Sequence, residues 1–227
     1  GAARQSARLN SPKAPHGAFF SSPVFFCLLV FIAVFTHNSA ALEEFLMSDK
    51  LRRIVLTGGP GSGKSTLIEV LHRRGYPHSQ EAGRAIIQEQ VSIGGNALPW
   101  GDRQAFAERM LDWELRSWRE ATGATCWFFD RGLPDIAGYL TLCGLPIPAP
   151  LTAAIGAFRY ADTVFIAPPW RAIYAQDSER KQSFAEAEQT YRAMLAVYRR
   201  SGYRLQELPR ASPDERADFL LDALGCR

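Results

Sequence analysis

The sequence predicts an α/β fold: a five-stranded parallel sheet with helices on both faces. Three observations predict it. Apolar runs of strand length recur between turn residues, as buried parallel strands require. Stretches with helical spacing of apolar residues separate those runs. A glycine-rich loop joins the first run to the first helix.

Arg52-Arg53-Ile54-Val55-Leu56-Thr57 has the β-branched, apolar character of a short strand. Gly58-Gly59-Pro60-Gly61-Ser62-Gly63-Lys64-Ser65-Thr66 follows and matches the Walker A pattern GxxxxGK[ST]. Glycines allow a tight loop whose N–H groups point at phosphate oxygens. The helix that starts near Lys64 adds its positive N-terminal end. The pattern assigns Lys64 to the β- and γ-phosphates of ATP and Ser65 to the Mg²⁺ shell, with Thr66 beside the α-phosphate. Leu67-Ile68-Glu69-Val70-Leu71 continues as an amphipathic helix and stops at Arg73-Arg74-Gly75.

Thr125 to Phe129 forms a second clear strand, ending in Asp130 and Arg131. Asp130 is placed to support the Mg²⁺ water shell, and it also fits a helix N-cap. Arg131 is read as a substrate residue, with a surface ion pair as the alternative. An acidic pair, as in helicases and AAA+ motors, does not follow this strand. The base-reading motif NKxD of GTPases is missing too, since Asn96 is the only Asn after residue 46.

Between these strands lies His78-Ser79-Gln80-Glu81-Ala82-Gly83-Arg84. Glu81 is a candidate to accept a proton from an acceptor hydroxyl, and Arg84 to hold substrate or transition-state charge. A solvated i,i+3 pair fits the two equally well. Gly94 to Gly101 reads as a loop, with Asp102 as N-cap of the next helix. Phe106, Met110, Trp113 and Ser117 share a face of that helix and read as core. Trp100, on the loop, either covers a substrate or anchors the packing.

Leu133-Pro134-Asp135 starts a further helix, and Gly144 to Pro150 reads as a stiff Pro-rich loop. Thr163 to Ala167 is the fourth strand, closed by Pro168-Pro169-Trp170. A charged stretch follows, with Arg171, Arg180 and Lys181 as candidates to stabilise a moving phosphoryl group. Arg180 is the first choice among them, and a solvated helix face is the alternative. A long helix from Ser183 to Arg200, a fifth strand from Tyr203 to Leu208 and a last helix capped by Ser212-Pro213-Asp214-Glu215 complete the order.

The chain has 227 residues, 26 basic against 23 acidic, and a net charge of +3. That balance does not suggest a dedicated nucleic-acid binder, which would show a concentrated basic face, so a specific nucleic-acid partner is not expected. The four cysteines are scattered without a CxxC pair, and His16, His37, His72 and His78 form no ligand cluster. Neither a disulfide framework nor a zinc site is expected. Residues 1–46 differ from the rest. A weakly basic start precedes an unbroken apolar run from Val24 to Phe35. At ~18 Å as a helix, that run falls short of a bilayer core. An export signal, a membrane anchor over residues 18–35, and sequence upstream of a start at Met47 all fit; the last is preferred. Residues 47–227 are expected to form one cytoplasmic domain.

In combination, GGPGSGKST (58–66), EAGR (81–84), LPW (98–100), FFDRGLPD (128–135), PPW with the charged stretch (168–180) and GY…LP (202–209) carry a resemblance. The chain resembles the small bacterial predicted-ATPase family of P-loop kinase-like NTPases, with an AAA-type ATP-binding domain. It is similar to the ribosylnicotinamide kinase domain and, more distantly, to thymidylate and deoxynucleoside kinases. The resemblance implies a three-layer P-loop NTPase with sheet order 2-3-1-4-5. It places Glu81 beside the phosphoryl acceptor, Arg180 in a lid and Pro209 to Ser212 near the adenine. The expected activity is Mg²⁺- and ATP-dependent transfer to a small-molecule acceptor; a nucleotide-dependent switch acting on a partner is the alternative.

Overall fold

The computed structural model describes residues 51–174 and 182–226. Four parallel strands form one sheet: β1 (Arg52–Gly58), β2 (Cys126–Asp130), β3 (Thr163–Ala167) and β4 (Arg204–Glu207). Their order is β2-β1-β3-β4. The register sets Leu56 of β1 opposite Asp130 on one side and Phe165 on the other.

The expected fifth strand of the sheet, second in chain order, is reduced to a single bridge. His78 pairs in parallel with Phe128, and the Ser79 N–H donates to the Phe128 carbonyl at 2.8 Å. The bridge lies on the outer side of β2, where the order 2-3-1-4-5 puts that strand. The reason it stays short is local. Pro77 has no N–H to give, and the chain turns into a helix at Ala82.

Strand side chains alternate between two helical layers, because successive residues point to opposite faces. Ile54, Leu56, Phe128 and Phe165 pack with α1 (Lys64–Arg73) and α7 (Pro213–Leu224). Val55, Phe129, Val164 and Ile166 face the opposite way. They meet α4 (Leu133–Leu142), α5 (Ala149–Ala157) and α6 (Phe184–Arg200), while α3 (Arg103–Glu120) contributes Ala107. A third cluster joins Ile86 and Ile87 of α2 (Ala82–Ile93) to Leu98 and Phe106.

Helix starts follow their sequence signals. The Asp102 carboxylate accepts from the Ala105 N–H at 3.0 Å. Ser183 with Glu186, and Ser212 with Glu215, form reciprocal capping boxes. The serine groups hold both glutamates below the usual carboxylate range. The Pro-rich connector is a correction. Its second half opens α5, with Pro148 as N-cap and Pro150 in the first turn. Proline's fixed φ suits a helix start, so it initiated an element that was expected to be loop.

Cys126 and Cys226 are joined as a disulfide across a separation of 100 residues. No cysteine pairing was expected. Their meeting follows from α7 returning the chain end to the start of β2, where the Arg52 guanidinium also donates to the Leu224 carbonyl at 2.5 Å. Cys143 is a free thiol. No helix among the described residues is long and apolar enough to cross a membrane. The apolar run at 24–35, the boundary at Met47 and the lid candidates Arg180 and Lys181 lie outside the described residues.

Candidate functional site

Strand β1 delivers the loop. At Gly58 φ is +135°, and a Cβ there would sit 2.5 Å from the Ala167 carbonyl of β3. Gly59 lies equally close to the Ala187 carbonyl of α6, again 2.5 Å from an ideal Cβ. Only glycines let the loop run between two backbones. Pro60 and Gly61 carry it over the sheet edge, with the Tyr174 ring packed on Gly61. The Ser62 hydroxyl donates to the Gly59 carbonyl at 2.8 Å, and Arg216 of α7 donates to the Ser62 carbonyl at 3.0 Å. Burial lowers the pKa of that arginine.

Gly63 is the N-cap of α1 and provides no side-chain cap. The first N–H groups of the helix are therefore directed at whatever occupies the loop. Lys64 is buried, and its ammonium lies 3.1 Å from the Gly59 carbonyl and 3.5 Å from that of Gly58. Ser65 and Thr66 are exposed in the first turn.

Strand β2 ends at Asp130, buried beside β1, with its N–H donating to the Ser79 hydroxyl at 3.3 Å. Arg131 then adopts φ +78°, the left-handed region, at a cost of about 1–2 kcal/mol for a residue with a side chain. Its guanidinium holds that conformation through three contacts. Nε donates to Glu81 at 3.2 Å, and Nη1 donates to the Gly58 carbonyl at 3.0 Å and to Asp135 at 3.2 Å. Burial works against the charge, but Glu81, Asp135 and Asp130 outweigh it and raise the pKa of Arg131. One arginine thus ties the glycine-rich loop, the start of α2 and the start of α4 together.

Asp135 is the other end of this tie. Its carboxylate accepts from the Thr57 hydroxyl at 2.5 Å, the Tyr198 hydroxyl at 2.6 Å and the Gly132 N–H at 3.0 Å, besides Arg131. Burial, with Asp135 adding to it, pushes the Tyr198 hydroxyl well above its ordinary pKa, so it remains a donor.

A cavity of about 350 Å³ opens beside this cluster. Pro60, Glu81, Arg131 and Asp135 line its polar end; Ile87, Phe106, Met110, Ile136 and Met194 line its apolar walls. Trp100 stands at the cavity, 61% exposed, so it is not a packed anchor. Met110 and Phe106 pack in the core as expected and also line the cavity.

The expected site residues thus fall into groups. The loop from Gly58 to Thr66, Glu81, Asp130 and Arg131 converge. Arg84 sits next to Glu81, with 3.9 Å between Nε and Oε2, and its side chain is 40% exposed outside the cavity lining. Arg171 stacks over the Phe184 ring at 4.2 Å. Two residues were missed. Asp135 looked like an ordinary first-turn acid. Glu114 had a signal: it lies four residues after Met110 on the inward face of α3, and it is only 2% exposed.

Ser65 and Asp130 supply the hard oxygen donors that Mg²⁺ prefers. Among the described residues, no group of three or more His, Cys, Asp or Glu side chains could hold a metal alone. A cation held by these two would need phosphate oxygens and water to complete its shell.

A parallel sheet ending in a phosphate-binding loop, with a cavity at its strand ends, defines a P-loop protein of kinase-like fold. Residues 53–216 match the family described as AAA domain, and the chain belongs to that family. Among curated proteins no match is found. Solved structures agree on the fold. The NadR protein in complex with NR superposes with a TM-score of 0.63 at 16% identity, covering 86% of this chain and 58% of that one. Deoxyadenosine kinase from M. mycoides gives 0.56 at 15% identity, over 77% of this chain and 100% of that one. Thymidylate kinase from Candida albicans gives 0.56 at 11%, over 78% and 92%.

Proposed function

We propose that the protein is a Mg²⁺-dependent small-molecule kinase that transfers the γ-phosphate of ATP to a nucleoside-, nucleotide- or ribosyl-like acceptor. One observation carries the reading. Pro60 of the phosphate loop and Glu81 line the same cavity, whose volume of about 350 Å³ suits a small organic molecule. The similar structures, a deoxyadenosine kinase, a thymidylate kinase and a protein in complex with NR, support it.

In this reading the loop amides and Lys64 hold the phosphates. Ser65 and Asp130 would hold Mg²⁺, which would supply neutralisation of phosphate charge. The acceptor hydroxyl enters from the cavity and forms a bond to the γ-phosphorus as the bond to the β–γ bridging oxygen breaks. Glu81 receives the hydroxyl proton. Arg131 keeps Glu81 oriented, and Arg180 adds positive charge from the lid. The work is mostly positioning and charge stabilisation.

The test incubates the full chain with labelled ATP, Mg²⁺ and a panel of nucleosides, nucleotides, ribosyl cofactors and sugars. Glu81→Gln is expected to lower transfer at least 100-fold while ATP still binds, since general-base help is worth ~10²–10⁴. Lys64→Ala is expected to lose ATP binding itself. If Glu81→Gln transfers at the wild-type rate, or no acceptor is labelled, the kinase reading fails.

A switch is the second reading, and one contact favours it. Tyr174 packs on Gly61, and Ile173 lies against Gly63, so these two residues touch the loop that nucleotide would fill. In a switch, Glu81→Gln is silent and only Lys64→Ala matters.

A further inference from the structure

Glu114 has no role in the chemistry above, yet it is among the most buried charged-type residues of the molecule. It projects from α3, lines the cavity and is 2% exposed. Its Oε2 meets no hydrogen-bond partner among the described residues. A buried polar atom normally has a partner, so this one marks a position where a ligand atom completes the set.

The surroundings say which form of the carboxyl is present. Burial raises its pKa well above the carboxylate range, and Asp135, Asp130 and Glu81 add to that; Arg131 opposes them. Arg131 is already engaged by Glu81 and Asp135. These surroundings favour the protonated acid over the carboxylate, and that form offers one donor and one acceptor side by side. Its neighbours along the cavity, Phe106, Met110, Ile136 and Tyr139, are apolar bodies that suit a flat ring.

We infer that Glu114 determines acceptor specificity, its carboxyl pairing as donor and acceptor at once with the adjacent N–H and acceptor edge of a heteroaromatic ring. This rests on the kinase reading for the other half of the acceptor, whose hydroxyl lies toward Glu81. The ligand class is a hydroxylated compound joined to a planar ring with an amide- or amidine-type edge. A carboxylate would select two donors instead, and an apolar residue would select neither.

Matched riboside pairs test this: adenosine with purine riboside, uridine with N3-methyluridine, and nicotinamide riboside with pyridine riboside. The first two pairs differ in the donor of the edge, and the third loses donor and acceptor together. The full chain, Glu114→Gln and Glu114→Met are compared by acceptor KM in the transfer assay and by calorimetric Kd with ADP present. Melting temperature confirms that each variant is folded. For at least one pair the wild type should favour the edged member about tenfold or more, the size of one well-made hydrogen bond to a buried group. Glu114→Gln, which keeps a donor and an acceptor, should preserve that ratio within about threefold. Glu114→Met should collapse it toward one, with the loss falling on KM and Kd.

The inference is overturned if wild type does not discriminate any pair, or if Glu114→Met keeps the ratio. It is overturned too if none of the ribosides binds. If Kd shows the expected pattern but phosphate is never transferred, the kinase reading falls and the assignment of Glu114 stands.

Discussion

Removing the Asp135 carboxylate is the sharpest test of how this site is held. Asp135 is 5% exposed and accepts four hydrogen bonds, from Thr57, Tyr198, Arg131 and the Gly132 N–H. Hydrogen bonds to a charged group are each worth about 1.5–3 kcal/mol, but four that share one acceptor do not add. Breaking a buried pair by removing one partner costs about 3–5 kcal/mol. Asp135→Ala is therefore expected to destabilise by about 4 kcal/mol. For a chain of this size that lowers Tm by roughly 8–16 °C. Asp135→Asn keeps the shape and one acceptor, so about 2 kcal/mol is expected. Tyr198→Phe removes a single bond and should cost about 1 kcal/mol. Urea denaturation of the full chain and the three variants measures all of this, and the Asp135→Ala, Tyr198→Phe double variant gives the coupling. A loss under about 1 kcal/mol for Asp135→Ala, or strictly additive effects, would sink the idea that this carboxylate organises Arg131 and the loop.

Two further outcomes follow from the same geometry. The raised pKa of Glu114 makes stability fall with pH. Below the ordinary glutamate value both states hold the proton. Above it the unfolded chain releases the proton and the folded chain keeps it, so stability drops by up to about 1.4 kcal/mol per pH unit until the folded acid ionises. Asp135, Asp130, Arg131 and Glu81 act on this group electrostatically, and Tyr160 and Tyr198 lie within its field. Glu114→Gln should flatten that slope in urea titrations run upward from the ordinary glutamate value; an unchanged slope refutes it. Gly59→Ala should abolish the thermal stabilisation that ATP gives, because its Cβ would overlap the Ala187 carbonyl at 2.5 Å. Retained stabilisation would mean that the loop and α6 yield more easily than two backbones in contact should.

Much of the fold was legible in the residues. Asp102, Ser183 and Ser212 announced their helices, because a cap is a contact within four residues. The apolar run before Asp130 and the run 163–167 announced strands buried on both faces. Pro148 and Pro150 misled, since a proline that ends one helix and a proline that begins another look alike until the chain direction is known. The short bridge at His78 misled in the opposite sense. Its position in the sheet was right, but a strand depends on a donor that Pro77 lacks.

By itself the sequence determined the phosphate loop, the order of strands and helices and most helix ends. These depend on backbone propensity and on side chains a few residues apart. Only the tertiary structure decided that Arg131 would bind Glu81 fifty residues earlier and the Gly58 carbonyl as well. Only it placed Asp135 under four donors, buried Glu114 facing a cavity and set Cys226 against Cys126. Those groupings depend on how three layers stack. Stacking is set by the summed burial of many apolar side chains, none of which carries the address of its partner.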